Sequence, residues 1–470
     1  MGDLIPLALT SSSAPARFRQ GGNARIVNAF AEEIGEQGKV TFALYCVDGL
    51  EGFATLSGIT TGIRAAIEVD GALYAVAGTQ LWKIQSNGNV TSLGSMSISA
   101  TAPVYMARNR RDTPDIVIVC DGVMYYYRTS LAQVTDADLL APLSLTVVDG
   151  IVIIGTANNK WQAGEIDDAA NWDPLSFERA DASPDPVVRV FSRQNEALIF
   201  GTETCEFWGN AGLADATGFA RNAVMDLGCI APQSVAKFGQ TIAWVAHNRQ
   251  VMELQGYAGR RISTPAVERD IEAVSDKSTI VATSWTREGH SYYQISCADW
   301  TWIYDAAYGW ANRESYNAKR WRVSTVTEAF GKVICGDRDS PNIYEMSQAF
   351  TDEAGDPLVM SVTLPPVTAY PYTITCNAIH IDVERGVGTG QGQPQDTDPS
   401  LTLKWAKDGA ATFNGGRDVK IGQQGKRMIR TSEYRLGQSG VHGFTFQISC
   451  NANVSRALYG AYAELERDGL

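Results

Sequence analysis

Residues 196–209, EALIFGTETCEFWG, hold the pattern that organises the chain: a short run of strand-forming residues, a Gly-Thr-Glu-Thr turn, and a second run ending in aromatics. Alternating apolar residues around small turn formers are the signature of a hairpin. The same unit recurs upstream as ALYAVAGTQLWKI (72–84), DIVIVCDGVMYYY (115–127) and GIVIIGTANNKWQAG (150–164). Downstream it returns as TIAWVAHNRQVMELQG (241–256), HSYYQISCADWTWIYD (290–305) and KVICGDRDSPNIYEM (332–346). The copies are spaced by about 43 residues, the length of a four-stranded propeller blade. A lone blade has two apolar faces and cannot bury both, whereas radial stacking covers each face with the next blade and leaves only short edges. The spacing therefore predicts an all-β chain built on a β-propeller of six or seven blades. Trp82, Tyr126, Trp161, Trp208, Trp302 and Tyr344, near the second run of their hairpins, are expected to fill the wedge between blades as core residues.

The repeats place the propeller at residues 58–356. Residues 1–57 are expected to supply an N-terminal arm and the strands that close the ring. Beyond about residue 357 the pattern changes to SVTLPPVTAYPYTITCNAIHIDVERGVG (361–388), a polar loop GTGQGQPQDTDPS (388–400), and later strands LTLKWAKDG, RMIRTSEYRLG, GFTFQISCN and RALYGAYAELE. Alternation over these runs predicts a C-terminal β-sandwich-like domain at 357–470.

Charge and reactive residues narrow the function. Over 470 residues, 39 Lys and Arg against 52 Asp and Glu give a formal charge of −13, which argues against non-specific grip on nucleic-acid phosphates. Residues 1–356 carry −14 and the remainder +1, so the acidity belongs to the propeller. No secretory signal and no run of 18 apolar residues is present, so the chain is expected to be made in the cytoplasm and not to insert in a membrane. The eight cysteines, at 46, 120, 205, 229, 297, 335, 376 and 450, form no C-x-x-C pair and are expected to be buried apolar residues. His247, His290, His380 and His442 show no metal-site or triad spacing, and no phosphate loop or nucleophile motif occurs. AKDGAATF (406–413) resembles the hairpin of sialidase propellers, in which the Asp caps a turn, a folding device rather than a catalytic one. No catalytic, cofactor-binding or metal-binding residue is assigned, and no cofactor is expected.

Several segments in fixed order resemble the packaged-DNA stabilization proteins, the tail nozzle or hub proteins of short-tailed bacteriophages. They are ARFRQGGNARIVNAFAEE (16–33), NWDPLSFERADASPDPV (171–187), EALIFGTETCEFWGNAG (196–212), MDLGCIAPQSVAKFGQTIAWVAHN (225–248) and GYAGRRISTPAVERDI (256–271). IDVERGVG (381–388), EYRLG (433–437) and LYGAY (458–462) add to the likeness. Phe413 stands where the hairpin pattern has Trp, and the loop after Gly388 is long and polar. The resemblance implies a non-enzymatic virion protein made in the host bacterial cytoplasm. It further implies a homo-hexameric ring below the portal and its adaptor, or head-to-tail connector, with a tail needle or plug and tail fibres or spikes as further partners. Genomic DNA would pass through its channel without specific binding, and an acidic lining would let the duplex slide. The alternative reading is a carbohydrate-binding or glycan-cleaving propeller adhesin, which needs converging Arg, Tyr and Glu in one subunit.

One stretch runs against the overall acidity. Residues 402–435 hold Lys404, Lys407, Arg417, Lys420, Lys426, Arg427, Arg430 and Arg435 against Asp408, Asp418 and Glu433, a net of +5. Such a strip is either a solvated face or a contact that steers docking onto an acidic neighbour. The fold expectation has a direct check: far-UV circular dichroism should be strand-dominated, with helix far below the roughly one-third usual in globular proteins.

Overall fold

In a computed structural model of the chain, residues 3–35, 38–212 and 217–468 are described. Each of the seven hairpins is the central strand pair of a four-stranded antiparallel meander. Six meanders are separate sheets, and the sixth in chain order, from Val281–Arg287 out to Gly309–Asn312, begins a ten-stranded sheet. The ring therefore has seven blades.

Burial explains why the central strands read as continuous apolar runs. Ile116–Cys120 is buried at all five positions. Its side chains alternate: Ile116, Ile118 and Cys120 pack with blade 1, while Val117 and Val119 pack with blade 3. The same division repeats around the ring, giving one apolar cluster between each successive pair of blades and a last one between blades 7 and 1. Trp82, Trp161, Trp208, Trp302 and Tyr344 are buried in these clusters as expected, and Tyr126 is half-buried. Turn chemistry sets the register. Asp70-Gly71, Asp149-Gly150 and Glu288-Gly289 adopt positive φ at both residues between the first and second strands of their blades, as a two-residue hairpin requires.

Blade 7 is completed from the other end of the chain. Gly49–Thr55 lies antiparallel to Asn342–Ser347, pairing Gly49 with Ser347 and Thr55 with Asn342. Leu50, fully buried, enters the cluster of Trp321, Tyr344 and Met346 between blades 6 and 7.

Residues 1–57 thus divide between two bodies, since the strands before Gly49 lie in the sandwich. One sandwich sheet combines Asp3–Leu7, Ala29–Glu33 and Phe42–Cys46 with Ile374–Val383, Ser432–Gln438 and Ala457–Arg467. The other joins Asn23–Val27 to Met360–Thr363, Thr445–Cys450, Ser400–Ala406 and Arg417–Lys420. One core, with Ile26, Leu44, Ile379, Phe444 and Phe446, lies between them.

The second sheet is continuous with blade 6 through a parallel bridge of Val27 to Asn312. Asn28, buried with φ 54°, locks this junction. Its side-chain amide donates to the carbonyls of Glu314 and Val359, both at 2.9 Å, and its side-chain oxygen accepts from the Glu314 amide at 3.0 Å. An Asn tolerates the left-handed backbone here and satisfies three buried polar groups at once. In urea unfolding, Leu50→Ala at the closing strand should lose roughly 2–5 kcal/mol, as for other large-to-small core changes. The exposed neighbour Glu51→Ala should stay within about 0.5 kcal/mol.

Candidate functional site

The residues capable of covalent chemistry are occupied structurally. All eight cysteines are free thiols; six are buried, and Cys46 and Cys450 are half-buried. Burial pushes the thiols of Cys229, Cys335 and Cys376 up to about 12, so they stay protonated and unreactive at neutral pH. Among the described residues no group of three or more His, Cys, Asp or Glu could hold a metal ion.

A recess between blade 6, blade 7 and the sandwich brings arginine, tyrosine and acid together, as does a more open one where Arg320 and Arg322, paired with Asp339 and Asp356, lie by Tyr316 and Tyr344. In the first, His290 Nδ1 lies 2.7 Å from Asp305 Oδ2, and the imidazole is stacked between Tyr292 and Tyr308 with Phe30 edge-on. Arg287 pairs with Asp48. Arg313 sits 3.7 Å over the Trp321 ring, donates to the Asp48 carbonyl at 2.6 Å and lies 3.9 Å from the buried Glu353. Both guanidinium groups are thereby committed to internal partners. The cavity is about 50 Å³, room for a water or two, against roughly 300–1,000 Å³ for a small-molecule site. This arrangement stiffens the junction and gives a glycan carboxylate no open cation.

The innermost strands, the first of each blade, surround the axis of the single propeller. They carry Arg64, Arg108, Arg189, Arg193, Lys237 and Arg287 against Glu68 and Glu328, so the acidity lies elsewhere on the propeller. Two of these arginines hold neighbouring blades together. Arg64 donates to the carbonyls of Gly78 and Ala102. Arg189, buried, lies 3.9 Å over the Tyr105 ring and donates to the Leu145 carbonyl at 3.4 Å.

The basic strip at 402–435 has a defined place. Arg417–Lys420 and Ser432–Gln438 are the outer strands of the two sandwich sheets, at the end far from blade 6. In the sheet continuous with blade 6, five strand spacings, ~24 Å, separate that edge from the blade. At the hairpin, Asp408 Oδ1 accepts the amides of Ala411 and Thr412, both at 3.0 Å, and these bonds hold its carboxyl below the usual range. That is the turn-capping role expected from the sequence.

The next loop is pinned by its backbone. The Gly386 amide donates to Ile421 at 2.9 Å, Gly388 to Gly422 at 3.2 Å, and Gly425 back to Gly386 at 3.0 Å. A Cβ at Gly386 would press on Lys426 and Arg427, so this close approach requires glycine. Arg417 pairs with Glu433, and Lys420 lies 3.0 Å from Asp398. Lys426, Arg427, Arg430 and Arg435 are exposed and, among the described residues, have no carboxylate within 4.0 Å. Met428 is 97% exposed in the turn before the edge strand, and Tyr434 within that strand is half-exposed.

Sequence reasoning missed a second surface. On the outer strands of blade 3, Ile166 and Leu175 are 64% and 73% exposed among Glu165, Asp167, Asp168 and Asp173. The available signal was residues 161–178, which hold five acids and no base. At pH 8 a thiol reagent should modify at most two cysteines of the native chain within minutes, and all eight after unfolding.

The family model described as "Bacteriophage P22 Gp10, beta-propeller" matches residues 24–351. No curated protein matches the sequence. Among solved structures, virginiamycin B lyase from Staphylococcus aureus aligns at 10% identity over 64% of this chain and 99% of its own, with a TM-score of 0.44. BamB from Moraxella catarrhalis aligns at 11% identity over 68% and 97%, with a TM-score of 0.40. PorZ of Porphyromonas gingivalis aligns at 12% identity over 69% and 44%, with a TM-score of 0.41.

Proposed function

The chain belongs to the Bacteriophage P22 Gp10 β-propeller family, and from that premise we propose that it is a structural virion protein forming the tail nozzle or hub of a short-tailed phage. In this reading six copies form a ring below the portal and adaptor, conduct DNA during ejection and help retain the packaged genome. The tail needle or plug and the fibres or spikes would dock on the same ring. The observation that carries the reading is the family match itself, which runs through all seven blades into the closing strand and the first strands of the sandwich.

Physical chemistry supports a passive conduit. Duplex DNA carries one negative charge per roughly 1.7 Å of axis, so a wall rich in free Lys and Arg would hold it. A subunit with a net charge of −13, most of whose propeller arginines are paired or hydrogen-bonded internally, repels the duplex at long range. No described helix is long and apolar enough to cross a membrane.

Particles assembled without this chain provide the test. They should package a full-length genome and then lose it, measured as nuclease-sensitive DNA, and adding purified chain should restore retention. Particles that keep their DNA and remain infectious without the chain would contradict the proposal.

A further inference from the structure

We infer that the basic outer edge of the sandwich docks on the outer face of blade 3 of a second copy of this chain. This names the subunit contact of the ring and rests on the reading above. The two surfaces match in both polarity and apolar content. On the sandwich, Lys426, Arg427, Arg430 and Arg435 share residues 426–435 with the exposed Met428 and Tyr434, and the four cations have no carboxylate within 4.0 Å among the described residues. On blade 3, Ile166 ends the strand Lys160–Ile166, and Leu175 stands two residues before its partner Phe177–Arg179. Of the acids around them, Asp168 lies 3.9 Å from Arg128 of blade 2, and the Asp167 carboxylate accepts the backbone amide of Arg110 at 3.0 Å. Glu165 and Asp173 have no cation within 4.0 Å among the described residues.

The blade 3 patch is shaped by its own bonds. Asp173 Oδ1 accepts the Leu175 amide at 2.8 Å, and Asp168 accepts the Ala170 amide at 2.9 Å and the Asn171 side chain at 2.7 Å. An apolar centre within a charged rim, present on both sides with opposite sign, is the anatomy of a specific protein contact. A fully exposed Met in the turn before the basic edge strand suits a protein surface better than a phosphate backbone.

Placement decides the partner. The sandwich grows from blade 6, and blade 3 lies three blades away in one direction round the ring and four in the other. In a ring of seven no blade lies further from blade 6, so the basic edge is matched to blade 3 of another copy. Different patches at opposite ends of one subunit make a heterologous contact, which closes into a ring when the rotation per subunit permits.

Charge exchange tests the contact on the full chain. One variant carries Arg427→Glu and Arg430→Glu; the other carries Glu165→Lys and Asp173→Lys. Asp173→Asn controls for the loss of the turn cap, and melting temperature confirms folding. Association is read by carbodiimide coupling, at high protein concentration and low salt, between isotope-labelled and unlabelled copies. The wild type should give Lys426 joined to Glu165 or Asp173 of another copy. Each reversed variant alone should associate at least about tenfold more weakly by sedimentation, a readout that does not need the carboxylates removed in the lysine variant, because like charges then face each other.

Mixing the two variants should restore association, since every contact in the mixture can again pair opposite charges. Either variant alone associating like the wild type overturns the inference, as does a mixture without rescue. So does the basic edge instead retaining duplex DNA in a way that Arg427→Glu and Arg430→Glu abolish. Rings that form on the connector without the 426–165 or 426–173 link overturn this contact alone. A link present without rings keeps the contact and removes the functional reading beneath it.

Discussion

Ring closure by Gly49–Thr55 is the constraint on which the rest depends. Seven blades bury their faces only if the last packs on the first, and the last has three strands of its own until this segment arrives. The same segment is preceded by strands of the sandwich, and the third strand of blade 7 is followed by more of them. Closing the propeller and assembling the sandwich are therefore one topological event. The long sequence separation of these pairings gives the fold a high contact order, which slows folding.

A sheet that runs from blade 6 into the sandwich without a break turns two bodies into a rigid lever. The buried network of Asn28, Arg313 and Glu353 fixes the angle between them, and the aromatic stack around His290 fills the seam. Such rigidity would serve the proposed ring, because a basic edge held ~24 Å beyond the blade would meet its target at a defined position. The chain thus separates its charges, with acid on the propeller and base at the far end of the sandwich.

Much of this was legible in the residues. The seven hairpins were found because each central strand is buried on both faces and bounded by turn formers, which leaves an unmistakable periodic trace. Asp408 could be read as a turn cap because its bonds are local in sequence. The blade count stayed between six and seven because the closing strand is 287 residues from its partner, Thr55 to Asn342, and no local pattern reports such a pairing. The sharing of the sandwich between both chain ends was hidden for the same reason. Near the propeller axis, Arg64 and Arg189 serve as bridges to carbonyls and rings, pairings between residues distant in sequence that no local pattern reports. Ile166 and Leu175 fall outside the hairpin read at 150–164, and only their exposure marks them as a surface.

The central claim is that this chain is one segment of a larger symmetric ring, completed on a connector rather than alone. Electron microscopy of the purified full-length chain, before and after adding its adaptor ring, tests that most directly. The account predicts single, elongated particles for the chain alone and sixfold rings seated on the adaptor once it is present. Stable rings without the adaptor, or an adaptor that recruits no ordered ring, would contradict it.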